Sequence, residues 1–148
     1  MIYLKKIRAA RRTDLAQVIA IDAGITGLRK PAYWSGILAR YGTRQRQRYF
    51  LVAETDRAVQ GYIVGEVRDW EFGSPPCGWV FGIDVDPRAR QAGVGTRLLH
   101  AICSGFRDAG VDRVRTMLAR DNHLVLSFFR SQGMMAGPFI PLEMELSP

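Results

Sequence analysis

The sequence has little cysteine and little histidine: two of each in 148 residues. Cys77 and Cys103 stand alone, with neither CxxC spacing nor a partner cluster, which excludes a cysteine-built zinc site and suits a reducing compartment. His100 and His123 are isolated residues, so no metal is expected, and no Ser-His-Asp or Cys-His arrangement is legible. Long apolar runs are missing as well, and nothing approaches the roughly eighteen residues that a membrane span requires. The basic N-terminal stretch MIYLKKIRAARRTDL lacks the continuous apolar block and small-residue cleavage site of a secretory signal, so a cytoplasmic address is expected. There is no internal repeat, low-complexity tract or interdomain linker, and residues 1–148 are expected to form one domain.

What is present is an ordinary globular composition, 47% apolar and 24% charged, with a formal charge of +7. That charge favours anionic ligands: nucleic acid, an acidic surface or a phosphorylated cofactor. The densest basic run, Arg44, Arg46 and Arg48 in TRQRQRYF, reads as a solvated loop ahead of a strand.

The apolar period switches along the chain, and each switch marks an element. IYLKKIRAA reads as a strand, followed by a helix capped by Thr13 and carrying Leu15, Val18, Ile19 and Asp22 along its stripe, then a second helix over 32–41 behind Pro31. Tyr49–Glu54 and Ala58–Trp70 read as a hairpin joined near Asp56 and Arg57, and GWVFGIDV as the next strand. The spacing of Val94, Leu98, Leu99, Ile102 and Phe106 predicts an amphipathic helix that Gly110 ends in the left-handed conformation. DRVRTMLA is a further strand, Leu124, Val125, Phe128 and Phe129 lie on a helix that Gly133 stops, and Ile140, Leu142, Met144 and Leu146 alternate as in a strand buried on one side. Pro141 gives that last strand an edge position or an irregularity. Three strands in a row imply antiparallel pairing and the later strand-helix-strand unit one parallel pair, so the fold class is α+β with a mixed sheet. Trp70, Phe72, Trp79 and Phe81 are expected in the core, and Cys103 is expected to be packed rather than nucleophilic.

Between GWVFGIDV and the amphipathic helix lies DPRARQAGVGTRLL, with two glycines among three arginines. The first N–H groups of a helix have no intrahelical partner and carry the positive end of its dipole. Gly93 and Gly95 leave those donors uncovered, and Arg88, Arg90 and Arg97 add charge around them, so the expected ligand is a phosphate, most simply a pyrophosphate. A Walker loop would need Gly-Lys-Ser/Thr, and a dinucleotide fingerprint would need a third small residue where Leu98 stands.

Val85-Asp86-Pro87 followed by Arg90-Gln91-Ala92-Gly93-Val94-Gly95 resembles the acetyl-coenzyme A motif of the GNAT family of N-acetyltransferases. Asn122 to Met134 is similar to a second family element, Asn-x-x-Ala-x-x-x-Tyr-x-x-x-Gly-Phe. The resemblance implies a mainly antiparallel sheet with one parallel, splayed strand pair, flanked by helices, and acetyl-CoA as acyl donor without a metal. It implies that the strand ending at Val85 pairs with the pantetheine arm, that main-chain donors from Gln91 to Thr96 (Gln91, Ala92, Gly93, Val94, Gly95, Thr96) cradle the pyrophosphate behind Arg90, and that Asn122 bonds near the pantetheine. Phe129 would stand where the family often has the tyrosine that protonates the leaving thiolate, and a phenyl ring cannot donate. Val125 and Met134 replace alanine and phenylalanine, tolerable changes in packing.

An amine must be neutral to attack a thioester, and a carboxylate commonly takes its proton. Glu66 is the first candidate, sharing a strand face with Tyr62, Val64, Arg68 and Trp70; pairing with Arg68 on a wet face is its structural alternative. Asp84, next to the pantetheine strand's end, is the second candidate. The expected activity is acetyl transfer from acetyl-CoA to a primary amine of a small molecule or peptide, by direct attack in a ternary complex, with room for a homodimer. A non-catalytic acyl-CoA sensor and a basic nucleic-acid-binding domain are the alternatives; the second is disfavoured because no helix-turn-helix, RNP or zinc-finger signature is present.

Overall fold

The computed structural model describes residues 6–42, 47–56 and 58–147. Its strands, β1 (Lys6–Ala9), β2 (Arg48–Glu54), β3 (Val59–Arg68), β4 (Cys77–Val85) and β5 (Val114–Thr116), lie in the sheet in chain order. The first three pairings are antiparallel, and β4 with β5 is parallel, so the expected mixed α+β sheet is what forms. β2 and β3 combine β-branched and aromatic residues with short connections, which is what makes adjacent strands pair as hairpins.

Helices α1 (Leu15–Thr26) and α2 (Pro31–Tyr41) precede β2, and α3 (Val94–Asp108) joins β4 to β5. Thr13 does not cap α1. A short 3-10 turn, Arg12–Asp14, comes first, and Asp14, at the start of α1, makes no side-chain capping bond to that helix; its carboxylate turns back to accept the Arg11 N–H at 2.7 Å and the Arg8 guanidinium at 2.7 and 2.8 Å. On this face of the sheet, Val18, Ile19, Ile21, Trp34 and Ile37 are buried in one cluster with Phe50, Val52, Tyr62 and Val64.

The other face receives α3, whose Leu98, Ile102 and Phe106 are buried. The approach is close enough that a Cβ on Gly78 would stand 2.3 Å from Phe106 Cδ2, and one on Gly65 2.8 Å from Ile102 Cδ1. Gly110 ends the segment with φ 88°, as its sequence position predicts.

Three expectations need correction. β3 stops at Arg68, so Trp70 and Phe72 leave the sheet in left-handed conformations and are 68% and 75% exposed instead of buried; Phe81 is also exposed. Arg48 belongs to β2, while Arg44 and Arg46 lie outside the described residues. The alternating segment 140–146 forms no strand, and Ile140, Leu142, Met144 and Leu146 are exposed.

The chain divides into two compact units, Met1–Met117 and Leu118–Pro148. The second contains α4 (His123–Ser131), capped by the Asn122 side chain, which accepts the Val125 N–H at 3.2 Å. Gly133, with φ 93°, closes it as expected.

Candidate active site

β4 pairs with β5 only through Gly78, Trp79 and Val80; beyond that point β5 gives Phe81–Val85 no partner. The departure coincides with a bulge. Val64 faces Gly82 and Gly65 faces Val80, so Phe81 is the extra residue on β4. A bulge bends its strand and raises the local twist, which carries the end of β4 away from the line of β5. The ring of Phe81 meets Tyr41 of α2 edge-on at 5.4 Å. The result is a stretch of strand edge that β5 does not bond, the kind of edge to which an extended amide-bearing ligand can add as a strand.

The same edge leads into the arginine-glycine junction. Asp86 closes the strand: its N–H donates to Gln60 O at 2.7 Å, and its carboxylate accepts the Arg88 N–H at 2.9 Å and the Arg88 guanidinium at 3.0 Å. Arg88 is therefore engaged with Asp86. A 3-10 turn, Pro87–Ala92, follows, with Ala89 buried beneath it and Arg90 exposed; the Gln91 side chain lies outside the described residues. Gly93 has φ 74° and open space around the position of a Cβ, and its carbonyl accepts the Arg97 N–H at 3.1 Å. Val94 is buried while Gly95 and Thr96 are partly exposed, so α3 plants its first apolar side chain and turns its amino end outward. The polar edge of β4 and a fifteen-residue helix's positive end thus follow one another in the chain, and together they suit a pantetheine arm continuing into a pyrophosphate.

The two candidate carboxylates differ in company. Glu66 accepts from Tyr41 Oη at 3.1 Å and Arg68 Nε at 3.4 Å, with Arg48 Nε at 3.8 Å, so it is held among two guanidinium groups and a phenol. Asp84 stands opposite Tyr62 across the β3–β4 ladder and accepts a short hydrogen bond from its hydroxyl. Burial pushes the Asp84 carboxyl up, with the nearby Asp22 adding to the rise; the Tyr62 hydrogen bond, Arg90 and Lys30 pull the other way without cancelling it. Burial and the Asp84 charge likewise push the Tyr62 phenol up.

Behind this pair, Asp22 is buried at the end of the apolar stripe of α1, accepting from Trp34 Nε1 at 2.9 Å and pairing with Lys30 Nζ at 3.1 Å. Trp34 packs edge-on against Tyr62 at 4.8 Å. Sequence reading put Tyr62 on the strand face of Glu66 but did not bring Asp22, Lys30 and Trp34 to the site; the available signal was an aspartate on an otherwise apolar helix face.

Asn122 and Phe129 belong to the second unit, where Asn122 caps α4 and Phe129 is buried, its ring 5.2 Å from that of Phe128. His100 and His123 are exposed. Burial pushes the Cys103 thiol up, away from the thiolate a nucleophile needs. A cleft of about 280 Å³ between Arg12, Leu15, Ser35, Leu38 and Ala39 holds none of the candidate residues. Among the described residues no group of three or more His, Cys, Asp or Glu could hold a metal ion, and no helix is long and apolar enough to cross a membrane.

The family model for the acetyltransferase (GNAT) family matches residues 17–134. The chain belongs to the GNAT family. Acetyl-CoA is accordingly its acyl donor and acetyl transfer its reaction class. Solved structures share the fold at low identity. The aminoglycoside N-acetyltransferase AAC(6')-Iy in complex with CoA is 19% identical with a TM-score of 0.78, over 96% of this chain and 95% of that one. The aminoglycoside 6'-N-acetyltransferase AAC(6')-Ih from Acinetobacter baumannii is 17% identical with a TM-score of 0.79, over 96% and 99%. A transcriptional regulator from Bacillus halodurans C-125 is 17% identical with a TM-score of 0.81, over 95% and 99%. Among curated proteins, none matches the chain in sequence.

Proposed function

We propose that this GNAT protein transfers the acetyl group of acetyl-CoA to a primary amine of a small molecule by direct attack in a ternary complex, with Asp84 as the base. The observation that carries the assignment is the position of Asp84: a carboxylate of raised proton affinity on the one strand whose outer edge β5 leaves open. A base is most effective when its proton affinity approaches the working pH, and burial moves Asp84 in that direction. Glu66, on the same side of the sheet and paired with Arg48 and Arg68, is the acid that orients the rim and the second candidate for the proton.

In this reading the β4 edge through Val85 aligns the pantetheine. Main-chain groups of Gln91, Ala92, Gly93, Val94, Gly95 and Thr96 receive the pyrophosphate, with Arg90 supplying charge. Asp84, directly or through one water, takes the ammonium proton; the freed nitrogen lone pair attacks the thioester carbonyl, the nitrogen of the tetrahedral adduct gives its second proton to water, the C–S bond breaks, and CoA leaves as thiolate. Asn122 and Phe129 are proposed for the thioester end, Asn122 as a hydrogen-bonding group and Phe129 as an apolar wall. Phenylalanine there assigns protonation of the sulfur to water or leaves the thiolate unprotonated, which a thiol pKa of about 8.5 permits. Aminoglycosides, named in the descriptions of several structural neighbours, are the first acceptor class to test, and we place the reaction in the cytoplasm.

The experiment is a mass-spectrometric assay of acetyl transfer to a panel of amines (aminoglycosides, polyamines, amino acids and peptides), run beside a thermal-shift titration with acetyl-CoA. Product with at least one amine, and its loss in Asp84→Asn with the CoA-induced shift retained, supports the reading. A thermal shift with no product from any amine favours the second reading, an acyl-CoA-binding sensor, for which the missing phenol at Phe129 speaks. No shift at all removes both.

A further inference from the structure

The face of β4 that carries Asp84 leads to a second group of charges, and that group is of opposite sign. Asp84, Gly82, Phe81 and Trp79 follow one another along this face, with Tyr62, Val64 and Glu66 beside them on β3. α2 packs on β2, so the strip keeps contact with solvent: Phe81 is 40% exposed, and Trp79, Gly82 and Asp84 are partly exposed. Gly82 adds no side chain to it, and a Cβ there would find nothing nearer than Val64, at 3.9 Å. The strip joins Asp84, opposite Tyr62, to the cluster around Glu66, four residues or about 13 Å further along β3.

That cluster is rich in arginine and loosely tied. Arg48 and Arg68 both bring Nε towards Glu66, at 3.8 and 3.4 Å, and Arg68 Nε stands 3.7 Å from the exposed Glu71. A closed charge-assisted pair lies at about 2.7–2.9 Å. The structural pair of this unit, Arg8 with Asp14, does close, at 2.7 and 2.8 Å. Glu66 does not close on either arginine, and their side chains are 44% and 35% exposed. Aromatic rings hold them instead: Arg48 and Arg40 stand over Tyr41 at 5.5 and 5.9 Å, and Arg68 over Trp79 at 5.3 Å. Three guanidinium groups therefore gather around two carboxylates, and stacking steadies planar forks of donors whose spacing matches a carboxylate or a phosphate.

We propose that the acceptor is an amine that also carries an anionic group, a carboxylate or a phosphate, seated by Arg48 and Arg68 while its nitrogen lies at Asp84. This rests on the acetyl-transfer reading above and narrows it. The arginines stand at the end of β4 opposite the proposed pyrophosphate seat, so the anion they receive belongs to the acceptor and not to CoA. Opposite charges at the two ends of the strip also set direction, because an acceptor laid the other way round brings like charges together at both ends. Phe81, with Tyr41 edge-on to it, gives the linking segment an apolar wall. A polycationic amine without an anion sets its remote charges against three guanidinium groups, and is the poorer acceptor.

Steady-state kinetics with two matched pairs of amines test the proposal: tetraglycine against tetraglycine amide, and aminooctyl phosphate against aminooctanol. The anionic member of at least one pair is expected to have a KM about tenfold or more below that of its neutral partner, and the pair that shows it tells carboxylate from phosphate. Arg48→Gln combined with Arg68→Gln is expected to bring the two members within about twofold of each other, in a protein whose circular dichroism and acetyl-CoA thermal shift match the parent's. Calorimetric titration of the protein–CoA complex with the same four compounds reads binding without turnover. Anion preference in binding without any product supports the anion seat and removes the transfer reading; product without anion preference does the reverse. No difference within either pair in KM or in binding, or a preference that the folded double variant retains, overturns the proposal.

Discussion

Tyr62 and Asp84 face each other across the β3–β4 ladder, and the phenol donates to the carboxylate. Both proton affinities are displaced upward by burial, but the hydrogen bond itself favours the ionised carboxylate. Removing the donor therefore raises Asp84 further. If Asp84 is the base, the acidic limb of the kcat/KM profile lies above the ordinary carboxylate range, and Tyr62→Phe moves it to higher pH while the plateau changes less than the limb. Lys30→Met moves it the same way, because Lys30 also holds Asp84 down. Asp84→Asn should lower the plateau by about 10²- to 10⁴-fold, the usual contribution of a general base. A limb that stays put in both variants would assign it to another group.

Gly93 is the second test. Its φ of 74° strains any L side chain, yet nothing stands within 4 Å of the place a Cβ would occupy. Gly93→Ala is therefore expected to cost about 1–2 kcal/mol of stability through backbone strain, with KM for acetyl-CoA within about threefold of the parent. Gly93→Glu carries the same strain but also brings a negative charge to the positive end of α3, and should abolish the stabilisation by acetyl-CoA, about 2.7 kcal/mol at a hundredfold excess over Kd in the parent. Thermal denaturation with and without the ligand separates the two effects.

These tests rest on positions of different legibility. The α3 stripe from Val94 to Phe106, the Gly110 and Gly133 stops and the strand-turn-helix junction were readable because amphipathic period and glycine chemistry are local. The Phe81 bulge was not readable, since it exists only in the pairing of β4 with β3 and decides that Asp84 and Trp79, five positions apart, face the same side as Tyr62 and Glu66. Hydrophobicity misplaced Trp70 and Phe72, because β3 ends at Arg68 and the chain turns out before they can enter the core. The company of each carboxylate was equally out of reach: Tyr41 and Arg48 come to Glu66, and Asp22 and Lys30 to the neighbourhood of Asp84, from elements far away in sequence.

The seat of α3 yields a packing prediction. A Cβ at Gly78 would lie 2.3 Å from Phe106 Cδ2, so Gly78→Ala must displace a buried ring or shift β4. Overpacking of this kind costs about 1–3 kcal/mol. Phe106→Leu alone should destabilise by a comparable amount through the space it leaves, but the double variant should recover part of the first loss, because the leucine vacates the volume that the new methyl enters. Chemical denaturation of the four proteins measures the coupling, and purely additive losses would mean that β4, not Phe106, yields.

Acid stability should report the Arg8–Asp14 pair. Burial alone would raise the Asp14 carboxyl, but the two guanidinium hydrogen bonds and the Arg11 N–H outweigh it and hold the group below its usual range. A carboxyl depressed in the folded state binds protons more readily when unfolded. Its stabilisation is therefore complete above the unfolded value near 3.8 and disappears as pH falls towards and through the lower folded value. Asp14→Asn leaves the half-buried Arg8 with Glu54, at 3.3 Å, as its acidic neighbour among the described residues, and should cost about 1.5–3 kcal/mol at neutral pH through the lost charge-assisted hydrogen bonds. The decisive measurement is the difference in urea midpoint between parent and Asp14→Asn from pH 7 to pH 2. It should hold steady down to about pH 4.5 and then shrink, because protonation gradually deprives the parent of the same carboxylate. A difference that persists undiminished at the lowest pH would mean that asparagine's shape, rather than the lost charge, sets the cost.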